Sequence, residues 1–151
     1  MNASTSPRLD SPIIERVMQE HDALHVKIHK IPSVLSGPVP AEEEIESLLR
    51  EFLSTLVVHF ATEEDEGFFT EITKRDPALA TSAAKLGVEH RDLLHEANVL
   101  CQFAGAGCPS MLWWRELQTR CHAFNKRLMQ HECQENKLLH EAHKNDAGAY
   151  D

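Results

Sequence analysis

The chain has 151 residues, 42% of them hydrophobic, enough for one domain with a real core and not the composition of a disordered or fibrous chain. Its net charge of −9 argues against a nucleic-acid partner, which needs a basic face, and against an anionic lipid surface. No apolar run is long enough to span a bilayer, and Met1 to Pro12 has no apolar core like that of a signal peptide; no membrane association and a cytoplasmic location with reduced thiols are expected. Cys101, Cys108, Cys121 and Cys133 include no C-x-x-C pair, which speaks against a structural zinc finger.

In chain order, residues 1–10 are small and polar and read as a flexible arm. Ser11-Pro12 is a helix cap followed by proline at the first helical position. The first helix is predicted from Pro12 to about Ile31, with Ile14, Val17 or Met18, His21, Leu24 or His25, and Ile28 on its inner stripe; Pro32 stops it. Ser33 to Pro40 reads as a loop. The second helix starts near Ala41, where Glu42, Glu43 and Glu44 suit the positive end of the dipole. Its stripe is Ile45, Leu48 or Leu49, Phe52, Leu56, His59, Glu63 and Glu66, and Lys74-Arg75 closes it. Asp76-Pro77 repeats the cap-plus-proline signal. The third helix then runs to about Phe103, with Leu86, His90, Leu93, Ala97 and Leu100 inward. Gly105, Gly107 and Pro109 make a turn, and Ser110 caps the fourth helix. Its stripe is Leu117, Cys121, Phe124, Leu128, His131, Glu135 and Leu138. The fold expected is all-α, an up-down-up-down antiparallel four-helix bundle over residues 11–145, followed by a polar tail at 146–151.

The chemistry lies in a duplication. His59-x-x-x-Glu63 puts an imidazole and a carboxylate one turn apart on one helix face. The pattern recurs as His131-x-x-x-Glu135, and each copy follows an upstream inward histidine, His21 and His90. The chain reads as two similar hairpins, each giving one His and then one His-x-x-x-Glu. Burying even one such polar group unpaired costs a few kcal/mol, and a metal cluster removes that cost. Glu63 and Glu135 come from opposite repeats and are placed to bridge two metals, each holding two His nitrogens besides. Against a preference for about six donors, about two positions stay open on each metal. The nitrogen and oxygen donors suit iron or manganese, tolerate zinc and lack the thiolates of an iron–sulfur site.

The set His21, His59-x-x-x-Glu63, His90 and His131-x-x-x-Glu135 resembles the hemerythrin-like, or HHE cation-binding, family, over about Ile13 to His143. The resemblance implies a non-haem di-iron centre with carboxylate bridges that reacts with oxygen or nitric oxide. Two iron ions joined by an oxo or hydroxo bridge are therefore expected, with zinc or manganese as substitutes and O2, NO or a peroxide as the partner. The chain departs from the oxygen carriers of that family, which have a second His one turn after the third-helix His, where Leu94 stands here. They also use His-x-x-x-x-Asp on the last helix, where this chain has His-x-x-x-Glu. A more open centre follows, with a redox or sensing role favoured over reversible oxygen carriage. The alternative is a binding module, its metal structural or regulatory and its surface recognised by a protein partner.

Other residues carry weaker expectations. His25, one turn after His21, is either a further ligand, a hydrogen-bond partner of one, or a polar residue on the flank of the stripe. Glu66 is a candidate to hydrogen-bond a ligand. Glu64 is expected to point about 100° away from the centre. His29, His95, His122, His140 and His143 are expected at the surface. Trp113 and Trp114 should cover one end of the bundle, Cys121 should pack inward and Cys133 should face away.

Overall fold

The computed structural model describes residues 11–38, 42–106 and 110–148, so the expected N-terminal arm, Cys108 and the last three residues of the tail lie outside the described residues. Among the described residues all regular structure is helical: α1 Pro12–Leu35, α2 Glu42–Asp65, α3 Phe68–Arg75, α4 Ala80–Ala106 and α5 Met111–Gly148, with a 3-10 turn at Pro77–Leu79 leading into α4. The four long helices touch in a ring, α1 on α2, α2 on α4, α4 on α5 and α5 on α1, which is compatible with up-down-up-down order. None of the described helices is long and apolar enough to cross a membrane.

The helix starts follow the local chemistry. Ser11 Oγ accepts from the Ile14 N–H at 3.4 Å, with Pro12 at the first position of α1. Ser110 Oγ accepts from the Trp113 N–H at 3.1 Å and starts α5. Asp76 Oδ1 accepts from the Ala78 N–H at 3.1 Å, but the chain there winds as a 3-10 turn before α4 begins.

Three helix ends differ from the expectation. α1 does not stop at Pro32 but runs on to Leu35. A proline inside a helix costs about 3 kcal/mol. Continuing buries Leu35, worth about 1.5–3 kcal/mol, and the Ser36 N–H still reaches the Pro32 carbonyl at 2.9 Å. The second helix is broken instead of continuous. Gly67 takes φ +98°, a left-handed conformation that ends α2 and re-aims the chain as α3. α4 passes unbroken through Gly87 and ends three residues beyond Phe103, at Ala106. α5 extends to Gly148, beyond the expected boundary at residue 145, because no proline or glycine intervenes.

The core falls into two apolar clusters with a polar layer between them. The larger contains Leu24, Ile28 and Ile31 of α1, Ile45 to Phe60 of α2, Leu93 to Ala104 of α4 and Trp113 to Leu128 of α5. Trp113 and Trp114 close its far end, with Trp113 Nε1–H donating to the Phe103 carbonyl at 3.3 Å. The smaller contains Ile14 and Val17, Phe68 and Ile72 of α3, Ala83 and Leu86, and Leu138, Leu139 and Ala142. Each long helix sets one buried histidine in the layer between the clusters: His21, His59, His90 and His131.

The break at Gly67 is a testable joint. Gly67→Ala places a side chain at a positive φ and should destabilise the fold by about 1–2 kcal/mol. Gly87→Ala should do the reverse, by roughly 0.5–1 kcal/mol, because Gly87 lies within α4 and an added Cβ meets only Phe69 Cε2, at 3.9 Å. Urea unfolding of the two variants beside the parent checks both signs.

Candidate metal centre

The histidines that the pattern singles out are brought together. His21 comes from α1, His59 and Glu63 from α2, His90 from α4, and His131 and Glu135 from α5. All six are buried, and Glu63 and Glu135 are fully enclosed. Their donor atoms form two groups, His21, His59, Glu63 and Glu135 in one, and Glu63, His90, His131 and Glu135 in the other, with the atoms of each within 4.8 Å of one another. Either group can hold a metal ion, and both glutamates belong to both. Each hairpin of the duplication thus supplies the two imidazoles of one group.

The Nε2 atoms converge on the shared carboxylates. His21 Nε2 lies 3.2 Å from Glu135 Oε1 and 3.4 Å from Glu63 Oε2. His59 Nε2 lies 3.3 Å from Glu63 Oε2. His90 Nε2 is 3.0 Å from Glu63 Oε1 and 3.3 Å from Glu135 Oε2, and His131 Nε2 is 3.0 Å from Glu135 Oε2. Proximity satisfies only some of these atoms: the Nε2 atoms of His21, His90 and His131 are hydrogen-bonded to Glu135, but His59 Nε2 and both oxygens of Glu63 make no hydrogen bond. Buried polar atoms crowded round a common point without hydrogen-bond geometry are what a cation would satisfy, so the residues present fit a metal.

The opposite edges of the rings are fixed by carboxylates. His59 Nδ1–H donates to Glu20 Oε1 at 2.9 Å, His131 Nδ1–H to Glu89 Oε1 at 2.9 Å, and His90 Nδ1–H to Glu64 Oε2 at 2.6 Å. A carboxylate can only accept, so Nδ1 carries the proton and Nε2 keeps its lone pair for the centre. Glu20 also accepts from Thr62 Oγ1 at 3.1 Å and lies 3.5 Å from Arg16 Nε. Phe60 stacks on the His90 ring at 3.8 Å, tilted by only 6°. On the α1–α2 side, a recess lined by Ala23, Ser54, Thr55 and Val58 reaches Glu20 and His59.

On the second helix one expectation fails and one holds. Glu66 does not approach any ligand; it lies at the surface and pairs with Arg16, because the break at Gly67 ends the helical stripe just short of it. Glu64 does point away from the shared carboxylates, but that turn aims it at α4, where it holds His90. The carboxylates that orient the rings were legible only in part: Glu20 and Glu89 each precede an inward His by one residue, yet each serves the histidine of the neighbouring helix. His25 is partly exposed and belongs to neither group. Of the histidines expected at the surface, His29, His95, His122 and His140 are exposed, while His143 is half-buried and its Nδ1 lacks a partner. Cys133 is exposed, and Cys101 and Cys121 are buried with free thiols.

In the metal-free chain the cluster is held by protons. Burial works against the imidazolium of His21 and of His90. The carboxylates of Glu135 and Glu63 beside them outweigh it and raise both to about 10. His59 and His131 are raised by the same balance, with Glu63 and Glu135 as their respective main partners. Burial acts to raise Glu135, but the imidazoles of His131, His21 and His90 hold it well below the usual carboxylate range.

Comparison with protein-family models, with curated proteins and with solved structures finds no match to this chain.

The sign of the pH dependence follows. A histidine whose folded pKa is raised adds stability in full below its unfolded value of 6.5, and that stability is lost as the pH climbs through about 10. The metal-free protein should therefore melt at progressively lower temperature between those limits. Metal affinity should rise over the same window, since a ligand imidazole must be neutral. Calorimetry of metal binding at pH 8 in two buffers of different ionisation enthalpy should register at least one proton released per chain; zero release would show that His21 and His90 are already neutral.

Proposed function

We propose that the protein is a hemerythrin-like non-haem di-iron protein, an up-down-up-down bundle that reacts with or senses O2, NO or a peroxide at a paired metal site. The observation that carries the reading is the sharing of two buried glutamates between two buried histidine pairs. A carboxylate common to two groups is the ligand of a metal pair. Each half offers two imidazole nitrogens and two carboxylate oxygens, which would complete a tetrahedral zinc site but leaves about two positions free on a six-coordinate ion such as iron. Paired iron would supply one-electron redox chemistry and room for a small outside ligand.

The protein's own groups have distinct parts in this reading. His21 and His59 hold one ion, His90 and His131 the other, and Glu63 and Glu135 bridge. Glu20, Glu64 and Glu89 hold the rings in the productive tautomer and raise their basicity. The two apolar clusters keep bulk water from the pair, so that charge is screened little inside the layer.

Iron loading tests the reading. Protein loaded anaerobically should retain about two irons per chain, with the magnetic signature of coupled ions. Glu63→Ala and Glu135→Ala should each lower the iron content and uncouple what remains. Asp65→Ala, an exposed neighbour on α2, is the control and should leave both unchanged. Azide or nitric oxide should alter the visible spectrum of the loaded protein. An unaltered spectrum would mean a coordinatively closed, structural metal and would overturn the redox and sensing role.

A further inference from the structure

Three carboxylates are buried among the described residues, and the six-ligand set uses only two of them. The third is Glu132. It is 2% exposed, and neither of its oxygens has a hydrogen-bond partner. Its closest cationic neighbour is His25, whose Nε2 lies 4.0 Å from Oε1 on a side chain 37% exposed. That distance is too long for a hydrogen bond, and that imidazole is too wet to neutralise a carboxylate fully. The charged groups that act on Glu132 are His21, His25, Glu135 and His59. Of these, His21 and His59 belong to the first half of the centre, Glu135 is common to both halves, and His25 lies outside the groups, one turn beyond His21.

The duplication sharpens the point. Aligning His59-x-x-x-Glu63 with His131-x-x-x-Glu135 sets Phe60 opposite Glu132. Phe60 turns from α2 toward α4 and lies flat on His90. Glu132 turns from α5 toward α1, where His25 lies one turn beyond His21. One half of the centre is thus faced by an apolar plate and the other by an unpartnered carboxylate. A charge left in that position without a cation is costly, and an apolar residue of similar size would fit the layer without that cost.

We propose that Glu132 is a seventh protein ligand, belonging to the His21/His59 half, so that the two metal positions are unequal in donors and in affinity. The His21/His59 position takes an extra oxygen from the protein. The His90/His131 position, backed by Phe60, stays one protein donor poorer and is the one left open to an outside ligand. This inference rests on the paired-metal reading above.

Cobalt(II) is the probe, because its visible absorption reports the number of donors. Calorimetric titration of the metal-free protein should give two binding steps at least tenfold apart. Glu132→Gln, close to isosteric, and Glu132→Leu should each weaken one step by tenfold or more, shift the visible band of that step and leave the other within threefold. The metal-free Glu132→Leu protein should melt at or above the parent temperature, since it loses an unpartnered buried carboxylate. Both steps unchanged in both variants would overturn the assignment. So would a lower melting temperature with unchanged binding, or a failure of both variants to fold, either of which makes Glu132 a packing residue. If the parent binds two cobalt ions and Glu63→Ala loses them while the Glu132 variants do not, only this inference falls; a parent that binds none overturns the paired-metal reading with it.

Discussion

Everything in this fold depends on a layer of carboxylates and imidazoles enclosed by apolar side chains. Four histidines and three glutamates are buried at one level of the bundle, all of them below the solvent on every side. Left unpaired, each would cost a few kcal/mol, which together exceeds the net stability of an ordinary domain. The layer is tolerable because the groups neutralise one another or a cation. It stays ordered because three of the four rings are tied on their outer edges to Glu20, Glu64 and Glu89. The apolar clusters above and below serve the same end: they exclude the water that would otherwise compete for every one of these groups.

Helical periodicity made the inward residues legible. The stripe through Ile14, Val17, His21, Leu24 and Ile28 is buried as its spacing predicts, and so are His59, Glu63, His90, His131 and Glu135. What the spacing cannot supply is the direction in which a residue on the flank of the stripe meets its neighbour. Glu64 and Glu132 each follow a ligand by one residue and so lie about 100° from it on the helix. Glu64 stays exposed yet reaches His90 of α4, and Glu132 is buried on the side of α1, because in a ring of four helices the flanks of a stripe meet the neighbouring helices. Helix ends were misjudged for a related reason. Pro32 and Gly67 are both breakers by local rules, but only Gly67 breaks the chain, since continuing past Pro32 buries Leu35 and keeps the bond from the Ser36 N–H to the Pro32 carbonyl.

The two hairpins have the same plan but not the same surroundings. In the first, Glu20 holds His59 while Thr62 and Arg16 lean on Glu20. In the second, Glu89 holds His131 alone among the described contacts, and its carboxylate is more exposed. A carboxylate shared with a guanidinium draws less proton density from its imidazole than one that is not. The same ligand type is therefore presented with different donor strength in the two halves, as expected of a duplicated unit whose copies have specialised.

The short helix α3 gives the molecule a strong end and a weak end. The cluster closed by Trp113 and Trp114 draws on all four long helices along most of their length, whereas the cluster beyond the polar layer is small and relies on Phe68 and Ile72 of an eight-residue helix hung from one glycine. Regions with fewer buried apolar contacts open at lower free energy than the whole. α3 adjoins the polar layer through Phe69, whose ring centroid lies 5.6 Å from that of His90. The backbone amides of α3 should therefore exchange with solvent sooner than those around Trp113 and Trp114, so the molecule loses its order from one end.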